Sequence, residues 1–317
     1  MAGRTLEQQV AALRALDVQQ PAAIDELRKA IRSKRGFVIA AAAKIVAEHR
    51  LELVGELAEA FGALVGDEAT KRDPGCRGKL AIAKALVDLD EWDDRVFVAG
   101  LAVVQIEGYD PVDMAAPLRG MCGIAHARFM RPDALDVLAM LLADEWRNAR
   151  LAAAQGLGDA GRIDATALLR YKLIAGDDDE PEVLAQCFDS LFALAPESST
   201  TFAIQMLGRP ALAEAAAIAL GSHRASEAFE PLVAWCAGCK PEQRRRVGYV
   251  AIALLRSDGG NAWLVETIRN ASHDDAIAAA KALATFKDYA AVGDSLRTAA
   301  RAVGTKTRKE IEALLDR

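Results

Sequence analysis

Aromatic side chains are scarce. Phe, Trp and Tyr make up 5% of 317 residues, although 52% of the chain is apolar. The apolar mass is therefore Ala, Leu and Val, which suits closely packed helices better than strands, whose surfaces favour β-branched and aromatic residues. Cysteine is also scarce: five residues, an odd number without framework spacing, exclude a disulfide scaffold and suit a reducing cytosol. Basic charge is not in excess. With 39 Lys and Arg against 45 Asp and Glu the net charge is −6, which disfavours a generally basic nucleic-acid binder. Long apolar runs are missing too, since uncharged stretches such as Val96 to Ile106 and Val247 to Leu255 fall short of the ~20 residues that cross a bilayer. The segment Met1 to Glu7 has no apolar h-region or cleavage site, so no secretory signal is read. These absences predict a soluble cytoplasmic protein. Disorder is excluded by the apolar fraction itself.

Apolar residues recur at i, i+3, i+4 and i+7 in nearly every segment, the signature of amphipathic helices. Gly, Pro, Asp and Asn punctuate segments of three to five turns, and almost no strand is expected. The segments pair. Asp144 to Gly161, Ala-rich and carrying Leu157-Gly158, is followed by a helix over Ile163 to Ile174. Ala211 to His223, carrying Leu220-Gly221, repeats the pattern and is followed by Glu227 to Cys236. Small residues let such helices approach closely, and the Gly can supply a left-handed C-cap.

Ala149-Arg150-Leu151-Ala152-Ala153 through Leu157-Gly158 resembles the HEAT-repeat family, in particular the short bacterial HEAT-like repeats of the phycobilisome-lyase type, with Ala in place of the usual Val. Positions comparable to Leu157 are Ile45, Leu86, Ile124, Leu191, Leu220, Leu254 and Leu283. The resemblance implies an all-α HEAT-like solenoid of about eight helix pairs, with inner helices lining a concave surface. A single solenoid over 1–317 is expected, with an N-terminal cap within 1–20 and a C-terminal cap over 294–317. The elaborate connection Gly66 to Gly78 stands out as a long loop.

The chemistry-bearing motifs are few. Trp235-Cys236-Ala237-Gly238-Cys239-Lys240 resembles the thioredoxin motif, but a helix precedes it where thioredoxin has a strand, and Pro241 stops a long helix from following. A disulfide between Cys236 and Cys239 is left open. His49, His126, His223 and His273 have no His partner at i+3 or i+4, so no helix-borne metal pair exists. Glu91-Trp92-Asp93-Asp94 resembles the Trp and Asp of HEAT-like alkylpurine DNA glycosylases, yet also reads as a helix N-cap with a packing Trp. Gly176 to Pro181, with its run of acids, reads as the start of helix Glu182 to Phe192 rather than a calcium loop. No phosphate loop, nucleophile elbow or triad is visible.

Charge is uneven: Asp144 to Glu197 carries −6, residues 1 to 50 carry +4. On the expected inner helices lie Lys44, Lys79, Lys84, Arg119, Arg147, Arg150 and Arg244. They suggest a basic stripe, with His126, Gln186 and Asp189 among them. Arg150 also occupies the family's structural Arg position. The expected concave-face binding set is Lys79, Lys84, Arg119, His126, Arg147, Arg150, Gln186, Asp189 and Arg244. The function expected is a non-catalytic scaffold, not an enzyme, binding a protein or peptide partner on that face. The alternatives are a nucleic-acid binder of glycosylase-like type using the basic groove and an accessory or chaperone subunit of lyase type. No catalytic residue, metal or cofactor is expected, no membrane partner, and a monomer.

Overall fold

In the computed structural model the described residues are 5–66, 68–178, 180–239 and 242–315, with the side chains of 242–244 not described. Asp67, Asp179, Lys240, Pro241 and the side chain of Arg244 therefore lie outside the described residues. The chain divides into two compact units, Met1–Leu168 and Leu169–Arg317.

The first unit holds α1 (Leu6–Arg14), α2 (Pro21–Ile31), α3 (Gly36–Glu48), α4 (Val54–Ala63), α5 (Ala69–Arg72), α6 (Arg77–Leu89), α7 (Asp94–Leu101), a hairpin of β1 (Ile106–Glu107) and β2 (Val112–Asp113), α8 (Ala116–Arg128), α9 (Ala134–Leu142) and α10 (Arg147–Asp159). The boundary falls within α11 (Ala165–Ala175). The second unit continues with α12 (Pro181–Leu194), α13 (Pro196–Met206), α14 (Ala213–Ser222), α15 (Phe229–Gly238), α16 (Glu242–Leu254), α17 (Asp258–Asn270), α18 (His273–Ala284), α19 (Ala290–Arg301) and α20 (Thr305–Leu315). The fold class is all-α, a helical repeat, as the periodicity predicts. The hairpin's two antiparallel strands, of two residues each, are the strand content of the described residues.

The helices begin where the local chemistry allows. Thr5 and Gln8 form a capping box at α1. Asp93 caps α7 by accepting from the Arg95 amide, with Asp94 in the first turn, which bears out the capping reading of that acidic run. Pro181 and Pro196 open α12 and α13, where a missing N–H costs nothing.

Within each unit alternate helices form a tight layer. In the first unit α3 packs on α6, α6 on α8 and α8 on α10; in the second, α12, α14, α16, α18 and α20 pack in sequence. All eight expected anchors fall on these alternate helices, α3 to α18. The register is sharper in the structure. The tight-layer helices α3, α6, α8, α14 and α16 end at left-handed residues Arg50, Asp90, Met130, Arg224 and Arg256, and α10 at left-handed Gly161. Counting back four residues from each gives Val46, Leu86, His126, Leu157, Leu220 and Ile252, all at most 1% exposed. The anchors expected at Ile45, Ile124 and Leu254 are thus displaced by one or two residues.

The Gly of Leu-Gly does not make the cap expected of it. Gly221 lies within α14, and a Cβ there would stand 2.3 Å from the Ala251 carbonyl oxygen of α16. Its role is backbone approach. Gly120 acts likewise in α8, where a Cβ would meet Ala152 of α10 at 2.5 Å.

Candidate partner-binding surface

Seven residues before each register anchor lies nearly two turns back, hence on the same buried face of the helix. In four tight-layer helices that position is a cation: Lys79 in α6, Arg119 in α8, Arg150 in α10 and Arg245 in α16. This periodicity corrects the expected basic stripe.

Lys79 is 0% exposed. Its Nζ donates to Asp73 Oδ2 at 2.9 Å and to the Leu64 carbonyl at 3.3 Å. Asp73, equally buried, also accepts from the amides of Gly78 (2.6 Å) and Lys79 (3.1 Å). The long connection 66–78 thus delivers a carboxylate into the interior. Its Gly75 amide donates to the Glu107 carboxylate at 2.9 Å, and Gln105 donates to the Asp73 carbonyl at 2.8 Å, which ties the loop to the hairpin. Arg119, buried in α8, donates to Asp113 (2.5 Å), Asp144 (2.9 and 3.0 Å) and the Val103 carbonyl (2.9 Å). Burial alone would lower the Arg119 pKa, but the Asp144 and Asp113 carboxylates raise it. Burial would likewise raise that of Asp113, but the Gln105 amide, the Arg119 guanidinium and the Ala115 amide hold it below the usual carboxylate range. Arg150 donates to the carbonyls of Asp144 (3.0 Å) and Glu145 (2.8 Å). Arg245 pairs with Asp275 at 2.7 Å, and the Tyr249 hydroxyl donates to the same carboxylate at 3.0 Å. The heptad-like spacing to the anchors signals Arg245, the middle residue of the run Arg244-Arg245-Arg246; the side chain of Arg244 itself lies outside the described residues.

Lys79 and Arg119 are therefore not surface binding residues: burial and ion pairing hold them inside. His126 is 1% exposed because it stands at an anchor position. Its Nδ1 lies 2.7 Å from the Cys122 carbonyl and its ring meets Trp92 edge-on at 4.8 Å. Trp92 stacks on Phe97 at 4.9 Å, carries the Arg131 guanidinium over its ring and donates to Asp94 at 2.6 Å. It is a packing anchor between repeats, which removes the residue that suggested a glycosylase. Asp177 and Asp178 pair with the buried Lys172 at 3.1 and 3.2 Å. The expected cap on α12 is not formed by a side chain. Cys236 and Cys239 are buried thiols, not joined in a disulfide. Burial pushes Cys236 up to about 12, opposite to what a redox nucleophile requires.

The other expected residues do not converge. Gln186 donates to Ser190 at 3.2 Å on its own helix. Asp189 is exposed and meets His223 at 3.0 Å, whose ring stacks on Phe192 at 4.5 Å. Arg147 is exposed at the start of α10. Lys84 is exposed and lines a groove of about 520 Å³ between α3 and α6. Ala40, Ala47, Ala81 and Ala85 line its floor, and Lys44, Lys84, Glu48 and Asp88 its rim. Lys44 and Lys84 each stand two residues before an anchor, and Glu48 and Asp88 two after, so the charges lie level across the two helices: bases at one end, acids one turn on.

Among solved structures the chain is similar to the complex of CpcE and CpcF of phycocyanin lyase from Nostoc sp. PCC7120, at 16% identity over 100% of this chain and 95% of that chain, with a TM-score of 0.27. No family model and no curated protein matches the chain. The matched complex is named a phycocyanin lyase, and the expectation that this protein is not an enzyme is withdrawn. At that TM-score no residue role passes from the complex to this chain. Among the described residues, no helix is long and apolar enough to cross a membrane.

Proposed function

We propose that the protein recognises a protein partner by seating one of its amphipathic helices in the groove between α3 and α6. The observation that carries this reading is the groove's lining, an alanine floor between two matched rows of opposite charge. Small floor residues let a helix settle close to the backbone, and a preformed groove limits the ordering cost of binding. The rim selects a helix with acids opposite Lys44 and Lys84 and bases opposite Glu48 and Asp88. Lys84 is the member of the expected binding set that this reading keeps as a contact. The nucleic-acid alternative loses Lys79 and Arg119, which would have had to face a phosphate backbone and instead face carboxylates. In the same reading the chain is a HEAT protein of the bacterial phycobilisome-lyase type, one repeat array capped by α1 and by residues 294–317, and works as a cytoplasmic monomer.

The test is site-specific photo-crosslinking in cells, with the reactive residue at position 81 in the groove or at position 98 on the exposed face of α7. One protein adduct is expected from position 81 and not from 98, and it should disappear with Lys44→Glu plus Lys84→Glu. The same adducts from both positions, or an adduct indifferent to the charge reversal, would overturn the assignment.

A further inference from the structure

The second unit carries a pocket of different chemistry. It has a volume of about 320 Å³ and is lined by Arg224, Ala253, Arg256, Asn261, Phe286, Tyr289 and Val292. Arg224 and Arg256 are the left-handed residues that follow α14 and α16, at φ 52° and 51°. Their equivalence in successive repeats places both beside one cavity. The Arg256 guanidinium lies 4.6 Å from the centre of the Phe286 ring, and its Nη1 meets the Tyr289 hydroxyl at 3.4 Å. This stacking fixes the plane of the guanidinium. Arg50, at the same repeat position in the first unit, spends its guanidinium on the carbonyls of Asp88 and Leu89. Arg256 meets a phenol and rings instead, and neither Arg224 nor Arg256 is in an ion pair among the described residues. The pocket lining contains no Asp or Glu. Tyr289 is 58% exposed.

We infer that this pocket binds a phosphate monoester attached to a flat ring. Two guanidinia without a carboxylate between them match a dianion better than a single carboxylate, and their planar forks suit phosphate oxygens. The Tyr289 hydroxyl and the Asn261 amide add uncharged donors. The exposed Tyr289 ring offers a face for the ligand's own ring. This chemistry reaches a protein from two sources, a phosphorylated tyrosine and a nucleoside monophosphate. The inference stands apart from the groove between α3 and α6, which neither uses these residues nor lies in this unit.

Isothermal titration of the full-length protein decides it, with O-phosphotyrosine, adenosine monophosphate, inorganic phosphate and phenylacetate as the four probes. Saturable binding of one of the two ring-bearing phosphates is expected, tighter than inorganic phosphate and much tighter than phenylacetate. Which of the two it is identifies the source. Arg224→Gln should weaken binding by about tenfold or more, the effect of losing one charge-assisted hydrogen bond. It leaves the fold intact, because Arg224 is exposed and packs no ring. Tyr289→Phe should weaken binding less, and Lys281→Gln, a charge removed elsewhere in the same unit, should leave it unchanged. Equal affinity for phenylacetate, equal loss with Lys281→Gln, or no saturable binding by any probe would overturn the inference.

Discussion

At the first turns of α6, α8, α10 and α16 a cation stands seven residues before the anchor and is turned inward. At the residues after α14 and α16, Arg224 and Arg256 stand four residues beyond the anchor and face a pocket. The residue types are the same, and so is the repeat. The difference lies in what each end of the helix meets. The inward cations reach carboxylates and carbonyls, with Asp73, Asp113 and Asp144 delivered by the connections and Asp275 by the first turn of α18. The left-handed arginines leave the helix direction, and Arg256 reaches aromatic rings while Arg224 stays exposed beside the same pocket. What surrounds each helix end, together with position in the repeat, therefore decides whether a basic side chain serves the fold, as Arg50 does at the Asp88 and Leu89 carbonyls, or faces a pocket.

Removing the inward charge should have the largest effect. Lys79→Ala leaves the Asp73 carboxylate buried without its counter-ion, a change that costs roughly 3–5 kcal/mol. Urea unfolding should show a midpoint lowered accordingly. Arg224→Ala, with no partner to strand, should stay within about 0.5 kcal/mol of the parent. Equal costs at the two positions would break the contrast between inward and outward cations.

The close approach of the tight layer comes next in size. A methyl group at position 221 would enter the space of the Ala251 carbonyl of α16. Backbone cannot step aside as a side-chain tip can, so Gly221→Ala should cost about 1–3 kcal/mol, the usual range for overpacking. Gly161→Ala probes the other glycine role, a left-handed backbone in open space, and should cost about 1 kcal/mol or less. If the order reverses, Gly221 is not needed for helix contact.

The helical repeat was legible because its signal is periodic: Ala and Leu at helical spacing, broken at near-regular intervals. The site was less legible, for a reason that Lys79 and Arg119 illustrate. Charge on an amphipathic helix ordinarily marks the solvated side, and the sequence shows no carboxylate within one turn of either cation. Their partners come from connections, Asp73 from the long loop and Asp113 from the hairpin. Spacing still held a clue. Lys79 to Leu86, Arg150 to Leu157 and Arg245 to Ile252 share one interval, which places cation and anchor on one face. The displaced anchors at Ile45, Ile124 and Leu254 concealed it. Lys84 could be placed outside because it breaks that interval.

His126 sharpens the same register by a smaller amount. It fills the position that Leu86, Leu157 and Leu220 fill in other repeats, so His126→Leu should fit with a change of less than about 1.5 kcal/mol in either direction. Thermal unfolding of that variant, beside Leu157→Ala at about 2–5 kcal/mol of loss, would separate an anchor that needs its imidazole from one that needs only volume. A loss for His126→Leu as large as for Leu157→Ala would show that the Cys122 carbonyl and the Trp92 ring require the histidine.

The smallest stability effect belongs to the groove, and its smallness is the point. Lys84 is exposed on the rim above Ala81 and Ala85. Lys84→Gln keeps the length of the stem and removes only a solvated charge, so unfolding should move by no more than about 0.5 kcal/mol. Lys79→Ala, five residues earlier on the same helix, should unfold the protein long before that. A Lys84→Gln variant that loses several kcal/mol would place Lys84 with the inward cations and leave the α6 wall of the groove with its acid alone, where the matched selection for a helix of alternating sign would be lost.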